Sequence, residues 1–183
     1  MGRIAVFLDG GYVDYVMRDE FAFAKIDYKT LADKMSAGHD LLRTYYYHCL
    51  PYQPPNPTPD ERRRFSQAQS FFSRLDALSH FAVRQGKLAC RGTDASTGKL
   101  ILEQKRVDLL FGIDLTLLAV KHQITDAALF TGDSDLLPAV EVARAEGVVV
   151  HLFHGQKPHM DLRAAADERT LITQDFVNDI LFR

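Results

Sequence analysis

The chain of 183 residues has a formal net charge of −2 at pH 7, and 46% of its residues are hydrophobic and 25% charged. This length suits one domain with a sizeable core, and the composition excludes a chain that is disordered throughout. No apolar run approaches the roughly 20 residues of a membrane span, the first residues do not resemble a signal peptide, and the charge gives no strong positive field.

The N-terminal part of the chain alternates short apolar runs with helical periodicity, which is typical of βαβ units and a parallel sheet. Residues 4–8 are all apolar and predict a strand that is buried on both faces. A helix is predicted around residues 27–37, and a tyrosine-rich strand is predicted at residues 41–49.

A proline-rich segment follows. Five prolines in residues 51–59 exclude a helix or a central strand, so this segment is predicted to be a surface connection. Asp60 is expected to cap a helix that runs to about residue 78. A third strand is predicted to begin at residue 81, and apolar segments around a polar turn predict a hairpin extension at about 83–105.

The C-terminal part of the chain returns to alternating elements. Residues 107–121 show helical periodicity and predict a helix that packs on the core. Strands are predicted at 127–130 and 148–153 with a helix between them, and the tail at 161–183 predicts two short helical pieces around a strand at 170–173. The side chains of the first of these helices that are expected to face the core are Leu110, Ile113, Leu117 and Val120.

Aspartates follow two of the predicted strands at the point where each strand ends. Asp9 comes directly after the first strand, and Asp133 and Asp135 follow the strand at 127–130. Asp108 lies at the predicted start of a helix. Because the carboxyl ends of parallel strands meet at one edge of a sheet, where open α/β proteins bind ligands, we expect these carboxylates to converge.

The repulsion within such a group of carboxylates must be offset by protons or by a cation. Two unit charges about 4 Å apart repel by roughly 4 kcal/mol at an effective dielectric near 20. The group would therefore take up protons or hold a divalent cation, and oxygen-only ligands favour Mg²⁺ or Mn²⁺ over Zn²⁺. These ions can bind a phosphodiester and activate a water molecule. The alternative interpretation is structural, because Asp133 or Ser134 could cap the next helix.

Two clusters of positive residues lie near these predicted elements. One interpretation is a basic rim that contacts phosphates without reading the base sequence, and the other is a solvated helix face. The residues concerned are Arg62, Arg63, Arg64, Lys105 and Arg106.

Tyrosines and histidines offer further candidates, and both favour structural roles. The three tyrosines at 45–47 alternate across a strand, so core packing is favoured over an exposed base-stacking surface. His151, His154 and His159 lie close together in sequence, but no cysteine is near to complete a zinc site, so surface or core positions are favoured.

Five motifs follow one another along almost the whole chain. They are Val-Phe-Leu-Asp-Gly at 6–10, Lys-Arg-Val-Asp at 105–108 with Asp114 six residues on, Thr-Gly-Asp-Ser-Asp-Leu-Leu-Pro at 131–138, Arg-Ala-Glu-Gly-Val-Val-Val at 144–150 and Leu-Arg-Ala-Ala-Ala-Asp at 162–167. In their order and spacing the chain resembles the NYN domains of the LabA group, which are PIN-like nucleases.

The resemblance implies one NYN domain over residues 1–183. The implied fold is an α/β protein of PIN-like type, a three-layer α/β/α sandwich with a central, mostly parallel sheet. The implied activity is metal-dependent endonuclease cleavage, usually of RNA. The residues that match the acidic positions holding Mg²⁺ or Mn²⁺ are Asp9, Asp108, Asp133 and Asp135.

Other positions of the motifs are implied to support these ligands. Asp114 also matches a family position, but six helical residues turn its side chain about 120° away from Asp108, so we expect a supporting role. Where many members carry Asn, this chain has Tyr12, and an amide that could orient Asp9 is therefore absent. The residues expected to support the site are Asp114, Gly10, Thr131 and Ser134.

The predicted function is hydrolysis of phosphodiester bonds, in RNA rather than DNA, by a metal-activated water molecule. The alternatives are a non-catalytic nucleic-acid-binding or regulatory module and a metal-dependent phosphatase that acts on small molecules. A homodimer is a further option, since pairing would lengthen the basic track, and no membrane partner is expected. Cys49 and Cys90 lie in apolar stretches and are expected to be free thiols, which fits a reducing cytoplasm.

Overall fold

A six-stranded sheet, in which each strand is parallel to its neighbours, forms the centre of the molecule. The computed structural model describes residues 2–182. The strands are β1 Arg3–Asp9, β2 Asp40–His48, β3 Phe81–Gln85, β4 Lys87–Thr93, β5 Leu100–Lys105, β6 Asp126–Phe130, β7 Val149–His154 and β8 Glu168–Leu171. The order across the sheet is β3-β2-β1-β6-β7-β8, so β1 and β6 lie side by side at its centre, while β4 and β5 pair separately.

Helices cover both faces of this sheet. They are α1 Gly10–Asp19, α2 Tyr28–Ser36, α3 Pro59–Asp76, α4 Val107–Val120, α5 Leu137–Ala145, α6 Met160–Ala165 and α7 Gln174–Asp179. Side chains of α4, α5 and α6 form the core on one face, and side chains of α1, α2, α3 and α7 form the core on the other. The predicted three-layer α/β/α sandwich is confirmed. Within residues 2–182, no helix is both long and apolar enough to cross a membrane.

β1 sends alternate side chains into the two cores, as the geometry of a strand requires. Of residues 4–8, Ala5 and Phe7 pack on the α4 side, and the other three pack on the α1 side. All five are at most 1% exposed, which confirms the strand that the uninterrupted apolar run predicted. Because β1 is packed on both faces, the backbone of its last residue, Asp9, is held in a fixed position.

The three tyrosines of β2 are all buried. Tyr45 is 5% exposed, Tyr46 is 1% exposed and Tyr47 is fully covered. Tyr45 and Tyr47 stack near Phe7, and the ring centroid of Phe111 on α4 lies 4.7 Å from that of Tyr47. Core packing of these tyrosines is therefore confirmed, and none of them offers an exposed surface for base stacking.

α3 has a different cap from the one predicted. Thr58 accepts a hydrogen bond from the Glu61 N–H, and the Glu61 side chain accepts one from the Thr58 N–H, which makes a reciprocal capping box. The prediction that Asp60 caps this helix is wrong, because Pro59 suits the first helical position and the residue before it becomes the cap. The helix ends at Asp76, slightly earlier than predicted.

α4 is apolar on its outer face as well as its inner face. Three of the residues predicted to face the core, Ile113, Leu117 and Val120, are 44%, 46% and 49% exposed, so that prediction is wrong; Leu110 does pack against the core. Only Asp108 and Asp114 are charged in this helix, so the spacing of apolar residues could not show which face turns inward. The buried side chains are Val107, Phe111, Leu115, Leu118 and Ala119.

The hairpin of β4 and β5 stands outside the main sheet and leads directly into α4. Its base is closely packed: a Cβ at Gly86 would lie 2.6 Å from the Lys105 carbonyl oxygen and 2.5 Å from Val107 Cγ2. The Gly86 N–H also donates to the His48 carbonyl, at 3.0 Å. The hairpin base therefore joins the end of β2 to the start of α4.

Candidate active site

The four predicted carboxylates lie at the carboxyl edge of the sheet. Asp9 ends β1, Asp133 and Asp135 lie between β6 and α5, and Asp108 is in the first turn of α4. The Thr131 hydroxyl donates a 3.0 Å hydrogen bond to Asp9 Oδ2. This bond joins the ends of the two central strands, so the segment that follows β6 is fixed against the end of β1.

Asp9 also starts the helix that follows it. Its Oδ1 accepts a 3.2 Å hydrogen bond from the Tyr12 N–H and so caps α1. The next residue must be glycine, because a Cβ at Gly10 would lie 2.6 Å from the ring of Tyr46. Gly10 therefore allows α1 to begin close against β2, and this places the expected supporting role of Gly10 in packing.

Asp133 organises the turn that carries Asp135. The Asp133 N–H donates to Thr131 Oγ1 at 3.2 Å, and Asp133 Oδ1 accepts from the Asp135 N–H at 2.9 Å. The second bond caps a single 3₁₀ turn, Ser134–Leu136, before α5. Asp133 therefore has the capping role that the sequence left open, and it fills this role with one carboxylate oxygen, Oδ1. The other oxygen takes no part in this hydrogen bond.

The pKa values of two of these carboxyl groups are raised. Burial is the largest cause for Asp9; it outweighs the two hydrogen bonds that Asp9 accepts, and the charge of Asp133 raises the pKa further. Burial also raises the pKa of Asp108, with added repulsion from each of the other three carboxylates. We name Asp9, Asp108, Asp133 and Asp135 the acidic group, since the charges of the other three act on Asp108 and the charge of Asp133 acts on Asp9.

In the part of the chain that the structure describes, the acidic group has no lysine or arginine as a salt-bridge partner. None of its members forms a salt bridge there, and Lys105 pairs with Glu103 at 3.1 Å instead. In the same range no three His, Cys, Asp or Glu side chains form a complete metal-binding set, so the carboxylates would have to move closer to share one ion. Their donor chemistry fits Mg²⁺ or Mn²⁺, because all four offer oxygen and a cation would relieve the repulsion.

Asp114 is bound by side chains from two strands of the sheet. Its two carboxylate oxygens accept hydrogen bonds from the Arg84 guanidinium, at 2.9 and 3.1 Å, and a third comes from the Tyr47 hydroxyl at 3.1 Å. Arg84 belongs to β3 and Tyr47 to β2. Asp114 therefore ties α4 to two strands, and any support that it gives to Asp108 passes through the helix.

The positively charged candidates are exposed and partly engaged. The arginines at 62–64 lie in the first turns of α3, and Arg63 pairs with Asp60 at 3.0 Å. Arg106 precedes α4 with a left-handed backbone, φ 74°. Because α3 connects the end of β2 to the start of β3, its first turns point toward the same edge of the sheet as the acidic group.

His48 is a polar residue at this edge that the sequence analysis missed. It ends β2, next to the end of β1. Its Nδ1 accepts from the Cys49 N–H at 2.8 Å, which leaves the proton on Nε2, 3.3 Å from Asp14 Oδ2. The available signal was its position, since it is the last residue but one of the strand predicted at 41–49.

A family model described as the NYN domain matches residues 3–173, which is nearly the whole chain. The chain belongs to the NYN domain family. NYN domains are part of the PIN-like superfamily, and the family generally comprises nucleases, which supports a hydrolase in general terms.

Solved structures show which fold this NYN domain shares. A protein of unknown function from Vibrio parahaemolyticus is similar with a TM-score of 0.63 and 17% identity, over 99% of this chain and 96% of that chain. MurG from Acinetobacter baumannii has a TM-score of 0.41 and 13% identity, over 94% of this chain and 46% of its own, which is too weak a similarity for any argument. A search of curated proteins finds no match.

Tyr12 fills the position where many NYN domains carry Asn. Its hydroxyl oxygen accepts a 3.1 Å hydrogen bond from the Gly155 N–H, and its ring packs edge-on against Phe130. A Cβ at Gly132 would lie 2.5 Å from the Tyr12 ring. Tyr12 thus touches the segments that follow β6 and β7, and in this NYN domain it positions the glycine that precedes Asp133.

The variant Gly132→Ala is expected to lower the free energy of unfolding by about 1–3 kcal/mol, because the new methyl group overlaps the Tyr12 ring. The double variant Tyr12→Ala/Gly132→Ala should lose less unfolding free energy than the sum of the two single losses, by roughly 0.5 kcal/mol or more. Urea denaturation measures both. Gly11→Ala is the matched control, since its Cβ would meet Asp9 only at an ordinary 3.5 Å. Strictly additive losses would contradict this account of Tyr12.

Proposed function

We propose that this NYN domain is a metal-dependent endonuclease that hydrolyses phosphodiester bonds in RNA. The observation that supports this most directly is the acidic group, whose four carboxylates come from β1, α4 and the segment after β6, and in which burial and neighbouring carboxylates raise the pKa values of Asp9 and Asp108. A structural role would not require unfavourable charges to be gathered at the ligand-binding edge of a parallel sheet.

The proposal assigns separate roles to the acidic group and to Thr131 at the carboxyl edge of the sheet. Asp9, Asp108, Asp133 and Asp135 would move closer and hold Mg²⁺ or Mn²⁺, which would polarise the phosphodiester and lower the pKa of the attacking water. Thr131 holds the Asp9 carboxylate through its hydroxyl. The turn that Asp133 caps fixes the direction of Asp135.

The basic residues are proposed to bind the RNA backbone. The arginines at 62–64 lie in the first turns of α3, Lys105 ends β5 and Arg106 precedes α4, and these side chains would contact the phosphates. Such contacts give affinity without base specificity, and binding should weaken as salt increases.

The decisive experiment is cleavage of labelled RNA and DNA oligonucleotides in Mg²⁺, Mn²⁺ or EDTA. We expect the wild type to cut RNA only with a metal ion, and Asp9→Asn and Asp133→Asn to abolish cutting. Asp175→Asn removes an exposed carboxylate in the first turn of α7 and serves as the matched control, with activity retained. Asp114→Asn should lose stability rather than its response to metal, since Asp114 is bound to Arg84.

Other results would point to the alternatives. A folded protein that binds RNA but never cuts it would favour a non-catalytic nucleic-acid-binding module, which the departure at Tyr12 keeps in consideration. Hydrolysis of an aryl phosphate without cleavage of a polymer would favour a small-molecule phosphatase.

A further inference from the structure

A cavity of about 570 Å³ opens between α1, α2 and α3, on the face of the sheet opposite α4. We name it the α1–α3 cavity and define it by the six lining residues that bear on its chemistry: Tyr28, Phe71, Phe182, Lys25, Lys29 and Arg74. Its volume lies within the roughly 300–1,000 Å³ that is typical of small-ligand sites.

Aromatic side chains form part of its wall. The Phe71 ring centroid lies 5.5 Å from that of Tyr28 and 5.9 Å from that of Tyr46, so these rings support one another. Phe182, also on the cavity wall, is 69% exposed. An exposed ring beside a fixed aromatic cluster is the arrangement on which nucleobases stack, whatever their sequence.

The charges around the cavity favour an anion. Lys25 and Arg74 are exposed, and neither forms a salt bridge within residues 2–182. Of the two carboxylates in the wall, Asp27 accepts from the Thr30 N–H and caps α2, and Asp14 is engaged by a histidine. Three cations and two carboxylates thus line the cavity, Lys29 pairs with Asp33, and the two cations without a salt bridge complement a phosphate.

Two features extend from the cavity toward the carboxyl edge of the sheet. Asp14 lines the cavity and its Oδ2 lies 3.3 Å from Nε2 of His48, which stands at the carboxyl edge of the sheet. A shallow groove along α3, lined by Arg63, Ser66 and Arg74 among others, leads from the basic first turns of this helix to the cavity. An RNA strand bound at the edge therefore has a polar and cationic path into the cavity.

We propose that the α1–α3 cavity binds one nucleotide of the RNA substrate, at a distance along the strand from the bond that is cut. The base stacks against Phe182 and the aromatic wall, and its phosphate contacts Lys25 and Arg74. The identity of the occupant as substrate RNA rests on the proposed function, whereas the preference for an aromatic anion rests on the cavity alone. Arg74 follows Phe71 by one helical turn, so one face of α3 presents both a ring and a cation.

The test is RNA binding to protein that carries Asp133→Asn, measured by fluorescence anisotropy with a short labelled single-stranded RNA. Arg74→Glu and Phe182→Ala should each weaken binding at least about fivefold, as the removal of a stacking or phosphate contact does. Two matched controls should leave binding unchanged within twofold: Phe23→Ala removes another exposed ring, and Arg163→Glu makes the same charge change on α6. In the protein with Asp133 intact, the two cavity variants should raise KM and leave kcat nearly unchanged.

The outcomes separate this proposal from the proposed function. If the protein cuts RNA but both cavity variants bind it as tightly as the wild type, the cavity proposal is wrong and the nuclease proposal stands. If the protein never cuts but both variants weaken RNA binding relative to their controls, the cavity binds RNA and the nuclease proposal fails. Equal weakening by Arg74→Glu and Arg163→Glu would reveal a general charge effect and would overturn the cavity proposal.

Discussion

The variant Asp108→Asn is expected to lower metal-dependent RNA cleavage by about 100-fold or more while raising the melting temperature at pH 7. Loss of a ligand to the catalytic ion removes several kcal/mol of transition-state stabilisation, and each ~1.4 kcal/mol corresponds to a factor of about ten in rate. The gain in stability follows because Asp108 is repelled by the other three carboxylates. For a domain of this size each ~1 kcal/mol of relief raises Tm by about 2–4 °C.

The gain should depend on pH in one direction. Burial and repulsion raise the pKa of Asp108 above its usual 3.8, so the folded protein prefers the protonated form. The ionisation of Asp108 therefore costs stability: the cost grows as the pH rises from the unfolded pKa, is complete above the folded pKa and is absent below the unfolded value. Thermal denaturation should show Asp108→Asn to be more stable than the wild type at pH 7, with the difference vanishing below about pH 3.8.

Metal ions offer a second check on the same variant. Mn²⁺ should raise the Tm of the wild type more than that of Asp108→Asn, because binding to the folded state stabilises it. Asp175→Asn, the exposed control, should change stability by no more than about 0.5 kcal/mol. Cleavage by Asp108→Asn at the wild-type rate, or a lower Tm at pH 7, would count against the acidic group.

Phe111→Ala is expected to cost about 3–5 kcal/mol of unfolding free energy and to lower Tm by about 6–20 °C. Phe111 is 1% exposed, and its ring centroid lies 5.4 Å from that of Phe7 and 4.7 Å from that of Tyr47. Removing the ring leaves a cavity between α4 and strands β1 and β2. Because α4 carries Asp108, RNA cleavage should fall as well, even at temperatures where the variant is folded.

Phe23→Ala is the matched control for this loss. It deletes the same atoms from a side chain that is 72% exposed, so its effect should stay within about 0.5 kcal/mol. Chemical denaturation at one temperature measures both variants. If Phe111→Ala costs no more than Phe23→Ala, α4 does not rest on the sheet as described.

The sequence correctly predicted those elements whose hydrophobic pattern fits only one arrangement of buried side chains. An uninterrupted apolar run such as residues 4–8 is compatible only with burial on both faces, and β1 lies at the centre of the sheet. The buried face of α4 could not be predicted in the same way. Its outer face is also apolar, so the spacing of apolar residues does not show which side of the helix faces solvent. The wrong choice of Ile113, Leu117 and Val120 follows from that symmetry.

The sequence predicted which carboxylates lie at the strand ends of the site, but it did not predict the hydrogen bonds between the side chains there. That Asp9 and Asp133 follow strands can be read from the sequence, and the rule for parallel sheets then brings them to one edge. The partners of Asp114 could not be predicted, since Arg84 and Tyr47 come from strands whose register with α4 depends on packing. His48 was missed for the same reason, because its importance lies in a neighbour on α1.

The neighbouring position of β1 and β6 has a consequence for how the chain folds. Phe7 and Leu129 are paired in the sheet, although roughly 120 residues separate them in sequence. Contacts at such a separation form slowly, because a long loop must close first. Until β6 arrives, β1 has one open edge that is apolar and unpaired, and such an edge invites mispairing with other chains. We expect refolding yield to fall with protein concentration, and Asp9 to meet Asp133 only in the last stages of folding.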